Sequence, residues 1–176
     1  MSKTNKTWDN IVSGDSGALE ELYYDMFDRL LNYGMRIIND RDKVEDAIQE
    51  IFLMIWSKKE HIKIYSSISN YLFTCLRREI IHQLDRHKHE SISSFELFPY
   101  PTNISDEESK STRLSMIQSE ITNLPTRQKE IVYLKYKENM NYDEIEQIMG
   151  INRNSSYKLL HKAINKLKLA LLGSAD

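Results

Sequence analysis

A set of cationic and hydrogen-bonding side chains, Arg153, Lys158, His161, Lys162 and Lys166, recurs at helical spacing near the end of a 176-residue chain. On one helix face these groups donate to phosphate oxygens and base edges, the chemistry of nucleic-acid recognition. The segment that must hold them is NYDEIEQIMGINRNSSYKLLHKA, residues 141–163. Asn141 is an N-cap residue whose side chain accepts from the Glu144 amide, while Glu144 reaches back to the Asn141 amide. Ile145, Ile148 and Met149 give that helix one apolar face. Gly150 falls where the chain turns sharply at positive φ, and Asn152 caps a second helix whose Ile151, Leu159, Leu160 and Ile164 pack back on the first. Two helices about a tight glycine turn, the second basic, make the pattern of a helix-turn-helix. The competing reading is a plain helical hairpin with a solvated basic face; matched caps, a turn glycine and basic residues together favour DNA binding.

Other chemistry is thinly represented. No phosphate loop, metal-ligand spacing or nucleophile signature is present, so a non-enzyme is expected, with no cofactor. The single cysteine, Cys75, lies in the apolar pattern Tyr71, Leu72, Cys75, Leu76, and reads as a small core residue rather than a redox thiol. His82, His87 and His89 lack the cysteine or carboxylate frame of a zinc site and read as a solvated basic helix end. A formal charge of −2 argues against nonspecific wrapping by a polyanion, so any nucleic-acid face must be local. With 40% hydrophobic and 28% charged residues the chain is globular, and 5 Gly with 3 Pro suit an all-helical protein. The N-terminal MSKTNKTWDN is polar throughout and there is no long apolar run, which predicts a cytoplasmic protein without membrane insertion.

The elements that would position these groups are legible in the apolar period. Helical pattern begins near Ala18, with Leu19, Leu22, Tyr23, Met26, Leu30 and Tyr33 on one stripe, and breaks at Asn39 and Asp40. A second helix from Lys43 to about Ser57 turns Val44, Ile48, Ile51, Phe52 and Ile55 inward and Asp46, Gln49 and Glu50 outward. Ser67 or Ser69 then caps a third helix, which becomes basic as it proceeds. From about His89 to Arg113 the period fails, and prolines, serines and acids gather in a segment that is a linker by composition. Pattern resumes from Leu114, with Pro125 at a first helical position before an apolar set of Ile131, Val132, Leu134 and Tyr136. The prediction is all-α: two small helical domains on a tether.

These residues carry a resemblance that spans nearly the whole chain. DRDKVEDAIQEIFLMIW, YLFTCLRREIIHQL and LPTRQKEIVYLKYKENMNYDEIEQIMGIN, in that order, resemble signatures of an extracytoplasmic-function (group IV) sigma factor of bacterial RNA polymerase, in the sigma-70 superfamily. The resemblance implies sigma region 2 over residues 1–88, a linker over 89–112 and the region 4 helix-turn-helix over 113–176. It implies as partners core polymerase, through its β′ and β subunits, and promoter DNA, with an anti-sigma factor or a DNA-bound recruiting protein as further candidates. Asp46, Gln49, Glu50, Phe52 and Trp56 match positions that grip the polymerase β′ coiled coil; for Trp56, core packing and contact stand as equal alternatives. Tyr71, Arg77, Arg78, His82 and Arg86 match the helix that captures unpaired −10 bases, where guanidinium charge and flat surfaces suit splayed bases. Asn154, Ser155, Tyr157, Lys158, His161 and Lys162 match positions that read the −35 element, beside the outward-facing Arg153. In the linker, Asp106, Glu107 and Glu108 can mimic a nucleic-acid backbone or serve as a plain spacer.

The chain departs from the family pattern at several positions. Arg78 replaces a usual Asn, Asp85 a frequent base, Glu146 a small residue of the helix-turn-helix, Ser156 an apolar core position, and Tyr157 an Arg able to make a bidentate guanine contact. These departures leave two expectations side by side. Either promoter reading is weak without a DNA-bound partner, or this branch uses its own −35 code in which Tyr157 stacks or meets a thymine methyl. A stand-alone helix-turn-helix regulator is the alternative function.

Overall fold

The structure, a computed structural model, describes residues 3–90 and 117–173. The linker expected over 89–112, with Asp106, Glu107 and Glu108, lies outside them apart from the last two residues of a helix. All regular elements among the described residues are helices, and they fall into two compact units.

The first unit holds α1 (Lys3–Val12), α2 (Ser16–Ile37), α3 (Arg41–Lys58) and α4 (Ile68–Glu90). The starts of the last three are set locally. Asp15 accepts from the Ala18 amide at 3.1 Å, Asp40 from the Lys43 amide at 3.2 Å, and Ser67 Oγ from the Asn70 amide at 3.1 Å. The two aspartates start α2 and α3 about half a turn ahead of the apolar pattern, and Ser67 rather than Ser69 is the cap of α4. Val44, Ile48, Ile51, Phe52 and Ile55 are buried as a set against Leu22, Met26, Leu30 and Tyr33 of α2 and Leu72, Phe73, Leu76 and Ile80 of α4. Gly34 permits the closest approach in this core: a Cβ there would run into Val44 Cγ1 and lie 3.1 Å from Ile80 Cδ1. The N-terminal stretch, polar in sequence and without an apolar period, nevertheless forms α1, which contacts α2 and α4 and buries Trp8 and Ile11, spaced three apart on one face. Tertiary burial stabilises this helix where propensity and pattern alone are weak.

The second unit holds α5 (residues 117–122), α6 (Thr126–Val132), a π turn (Tyr133–Lys137), α7 (Tyr142–Met149) and α8 (Arg153–Gly173). Pro125 is the N-cap of α6, one residue before the predicted place; its carbonyl accepts from the Gln128 amide at 2.8 Å and the Lys129 amide at 3.0 Å. The helical pattern expected to run on through Tyr136 changes at Tyr133. There the Glu138 amide bonds to the Tyr133 carbonyl, five residues back, at 3.2 Å. One extra residue in the turn shifts the facing of the downstream side chains, so Tyr133 and Leu134 are buried and Tyr136, assigned to the apolar face by sequence, is 59% exposed.

Candidate functional site

The turn between α7 and α8 is built as its residues dictate. Asn141 accepts from the Glu144 amide at 3.0 Å and Glu144 accepts from the Asn141 amide at 2.9 Å, a closed capping box. Gly150 takes φ 62° and ψ 40°, a left-handed conformation that a side chain disfavours. Asn152 Oδ1 then accepts from the Ser155 amide at 2.8 Å and caps α8. Ile145, Ile148 and Met149 are buried, as are Ser156, Leu160, Ala163 and Leu167 along α8. The inward face of α8 is therefore turned from the expected one: Ile151, Leu159 and Ile164 are half-buried at its margins. Ser156 tolerates its buried place because its hydroxyl donates to the Asn152 carbonyl at 3.2 Å, one turn back.

Around the rest of α8, Asn154, Ser155, Lys158, His161 and Lys162 are exposed on the far side, and Arg153 and Lys166 are exposed nearer its margins. They are not equally free. Arg153 donates to Asp143 at 3.3 Å, and its guanidinium is held above its ordinary pKa by a hydrogen bond to Tyr157 first and the charge of Asp143 second. Tyr157 is 46% exposed, and its ring lies on Tyr142 with centroids 4.0 Å apart and planes tilted by 38°. Burial, then the neighbouring Tyr157 and Tyr136, raises the Tyr142 hydroxyl pKa. Lys135 Nζ lies 4.9 Å from the Tyr142 ring centre and donates to the Met140 carbonyl at 3.1 Å. Tyr142, Asp143 and Lys135 were not singled out in the sequence; their role depends on the turn geometry that brings residues fifteen apart together.

On α3, Asp46, Gln49 and Glu50 are exposed and form a ridge rather than one flat face. With about 100° per residue, Gln49 and Glu50 fall on either side of Asp46. Gln49 borders a groove of about 500 Å³ between α2 and α3, whose walls include Leu19, Tyr23, Leu53 and Trp56. Leu53 is 70% exposed there. Trp56, for which core and contact were equal alternatives, is half-buried in the groove wall with Lys59 Nζ 4.0 Å from its ring centre. Phe52, expected among the contact residues, is a buried side chain packed edge-on against Tyr23 at 5.1 Å.

Glu50 turns to the other side, toward a groove between α3 and α4 lined also by Met54, Cys75, Arg78, Glu79 and His82. Tyr71, Arg78, His82 and Arg86 share that flank of α4, at steps of seven, four and four. Arg77 does not join them: it lies about 100° around the helix from Arg78, on the opposite flank. Arg86 pairs with Glu79 at 3.5 Å. Burial, and then Cys75, pushes the Tyr71 hydroxyl up to about 12; burial likewise raises the Cys75 thiol, against the bond from Tyr71 and the charge of Arg78. Both groups are neutral at physiological pH and pack rather than react. Among the described residues no group of three or more His, Cys, Asp or Glu is placed to hold a metal ion, and no helix is long and apolar enough to cross a membrane.

The structure thus presents two helical units, one with an exposed acidic and apolar ridge on α3, the other with a capped helix-turn-helix. Residues 22–90 match the family model for Sigma-70 region 2, and residues 114–167 that for Sigma-70, region 4. The chain belongs to the sigma-70 family, in its extracytoplasmic-function group. It is similar to RNA polymerase sigma factor YlaC of Bacillus subtilis (strain 168), 23% identical over 164 residues that cover 90% of this chain and 95% of that protein. ECF RNA polymerase sigma factor SigM of the same organism is 23% identical over 155 residues, 86% of this chain and 93% of its own length. Among solved structures the fold resembles the sigma factor RpoE from Bartonella quintana, in complex with the anti-sigma factor NepR, with TM-score 0.66 and 20% identity over 89% of this chain and 98% of that one. It also resembles CnrH, in complex with the cytosolic domain of CnrY, with TM-score 0.68 and 16% identity over 99% and 100% of the two chains.

Proposed function

We propose that this chain is a dissociable initiation subunit of bacterial RNA polymerase, which docks on the core enzyme, places it on promoter DNA and helps open the duplex. The observation that carries the reading is the presence on one chain of both matched regions, in order, each folded around its own core. A stand-alone DNA-binding regulator has no use for the first unit. Polymerase performs the chemistry, and the protein works in the cytoplasm where the polymerase is.

Residues 1–88 serve the core enzyme and the −10 element, 89–112 form the tether, and 113–176 serve the −35 element. The ridge of Asp46, Gln49 and Glu50 offers carboxylates and an amide to the β′ subunit, and the adjoining groove, with Leu53 and Trp56, takes its apolar side chains. Tyr71, Arg78, His82 and Arg86 present one basic flank to unpaired −10 bases, with Arg77 contributing from the other side of the helix. Asn154, Ser155, Lys158, His161 and Lys162 meet the −35 duplex, and β contacts fall to the remaining surface of the second unit. An anti-sigma factor that covered the α3 ridge would block polymerase docking directly. The test is reconstitution: the purified chain is added to core polymerase, and complex formation and start sites are compared with core alone. Addition of a DNA-bound recruiting protein to the same reaction shows whether promoter choice is autonomous.

A further inference from the structure

Along α8, Asn154, Lys158, His161 and Asn165 form the centre of the exposed arc, directly opposite the buried Ser156, Leu160, Ala163 and Leu167. Tyr157 lies about 100° from Lys158, toward α7 rather than within that arc. One face of its ring is already occupied by Tyr142, at a centroid distance of 4.0 Å. Arg153, one turn before it on α8, donates to Asp143 of α7 at 3.3 Å. Tyr142 and Asp143 are the first two residues of α7, while Arg153 and Tyr157 belong to the first two turns of α8. Lys135 extends the set to the π turn through the Tyr142 ring and the Met140 carbonyl. The ties therefore span the Gly150 turn, the joint that sets how α8 is presented. A side chain that reads a base by stacking or by reaching into a groove needs its ring free, whereas one face of this ring is covered by a residue of its own unit.

We infer that Tyr157 is a positioning residue and not a base reader: stacked on Tyr142, it fixes α8 against α7 so that Asn154 and His161 meet the base edges, with Lys158 on the DNA backbone beside them. This rests on the proposal that α8 is the recognition helix. A tyrosine here exchanges one potential guanine contact for a rigid joint, and base discrimination moves to the centre of the exposed arc.

The full-length chain assembled with core polymerase tests this on a −35 duplex selected from a random pool, followed by every single-base substitution of that duplex. Tyr157→Ala and Tyr142→Ala are each expected to weaken binding to all duplexes by a common factor of about 2 to 10, the range for loss of an aromatic pair. The double variant is expected to be no weaker than either single one, because both remove the same contact. Tyr157→Phe and Tyr142→Phe, which keep the stack, are expected to retain the parental pattern of base preference. Thermal unfolding of each variant identifies any that do not fold, and Tyr157→Leu and Tyr142→Leu then take the place of the alanine variants. Flattened preference at one base pair with Tyr157→Ala, but not with Tyr142→Ala, would make Tyr157 a direct reader and overturn the inference. Additive losses in the double variant, or unchanged affinity in both single ones, would overturn it as well. Lys158→Ala is the control for the underlying proposal: if it changes neither affinity nor preference, α8 is not the recognition helix, a failure separable from that of the tyrosine pair.

Discussion

Lys158 and Lys162 sit one turn apart on the exposed arc of α8, and neither has an ion pair among the described residues, in contrast to Arg153 with its bond to Asp143. Replacing either with Ala removes one unengaged charge from the proposed DNA face without touching the buried side of the helix. Each phosphate contact releases condensed counterions and contributes about 0.9 to the slope of log K against log salt, so each lost contact lowers the slope by that amount. Over a fourfold rise in salt, from about 50 to 200 mM, one contact accounts for roughly a 3.5-fold change in affinity and two for about 12-fold. The assay is binding of the holoenzyme to promoter duplexes across that range, with the parent, Lys158→Ala, Lys162→Ala and the double variant. Slopes reduced by about 0.9 for each single variant and about 1.8 for the double one are expected. Parallel lines for all four proteins would refute the placement of this face against DNA.

Asp46→Lys, or a combined Gln49→Ala and Glu50→Ala variant, is expected to weaken recovery of core polymerase in a pull-down while leaving thermal unfolding unchanged, since all three side chains are exposed. Gly34→Ala forces a methyl group into Val44 and is expected to destabilise the chain by about 1 to 3 kcal/mol, read from urea unfolding; equal midpoints would show that the core yields. Burial opposes ionisation of Asp40, but the bonds and charge of Lys43 outweigh it and hold the carboxyl below its ordinary pKa. A carboxyl depressed in the folded state contributes stability above its unfolded pKa and loses it as pH falls through the folded one, below about pH 4. Asp40→Asn, which retains an N-cap acceptor, is expected to flatten part of the acid limb of a stability–pH curve. Superimposable curve shapes for parent and variant would contradict this.

The helix-turn-helix was legible because its determinants are local: a capping box four residues long, a turn glycine and an Asn cap each act within about one turn of chain. The α3 core face was legible for the same reason, its apolar period being undisturbed from Val44 to Ile55. Other features depend on distant partners or on a change of helical pitch. Among the described side chains of α1 the buried apolar ones are Trp8 and Ile11, too few to announce a helix before α2 and α4 are in place. Tyr136 was assigned inward at 3.6 residues per turn, and the π turn at Tyr133 moved it out. Arg77 and Arg78 are neighbours in the basic run, yet a turn of about 100° per helical residue sends them to different flanks of α4. The stack of Tyr157 on Tyr142 appears only once Gly150 folds α8 back on α7.

The central claim, that this chain directs polymerase to promoters, is tested most directly by sequencing the 5′ ends of transcripts made on genomic DNA by purified core polymerase with and without it. The account predicts a stable complex and a defined set of start sites that core enzyme alone does not use, sharing sequence features upstream at −10 and −35. A chain that neither co-elutes with core polymerase nor changes the start sites would contradict it.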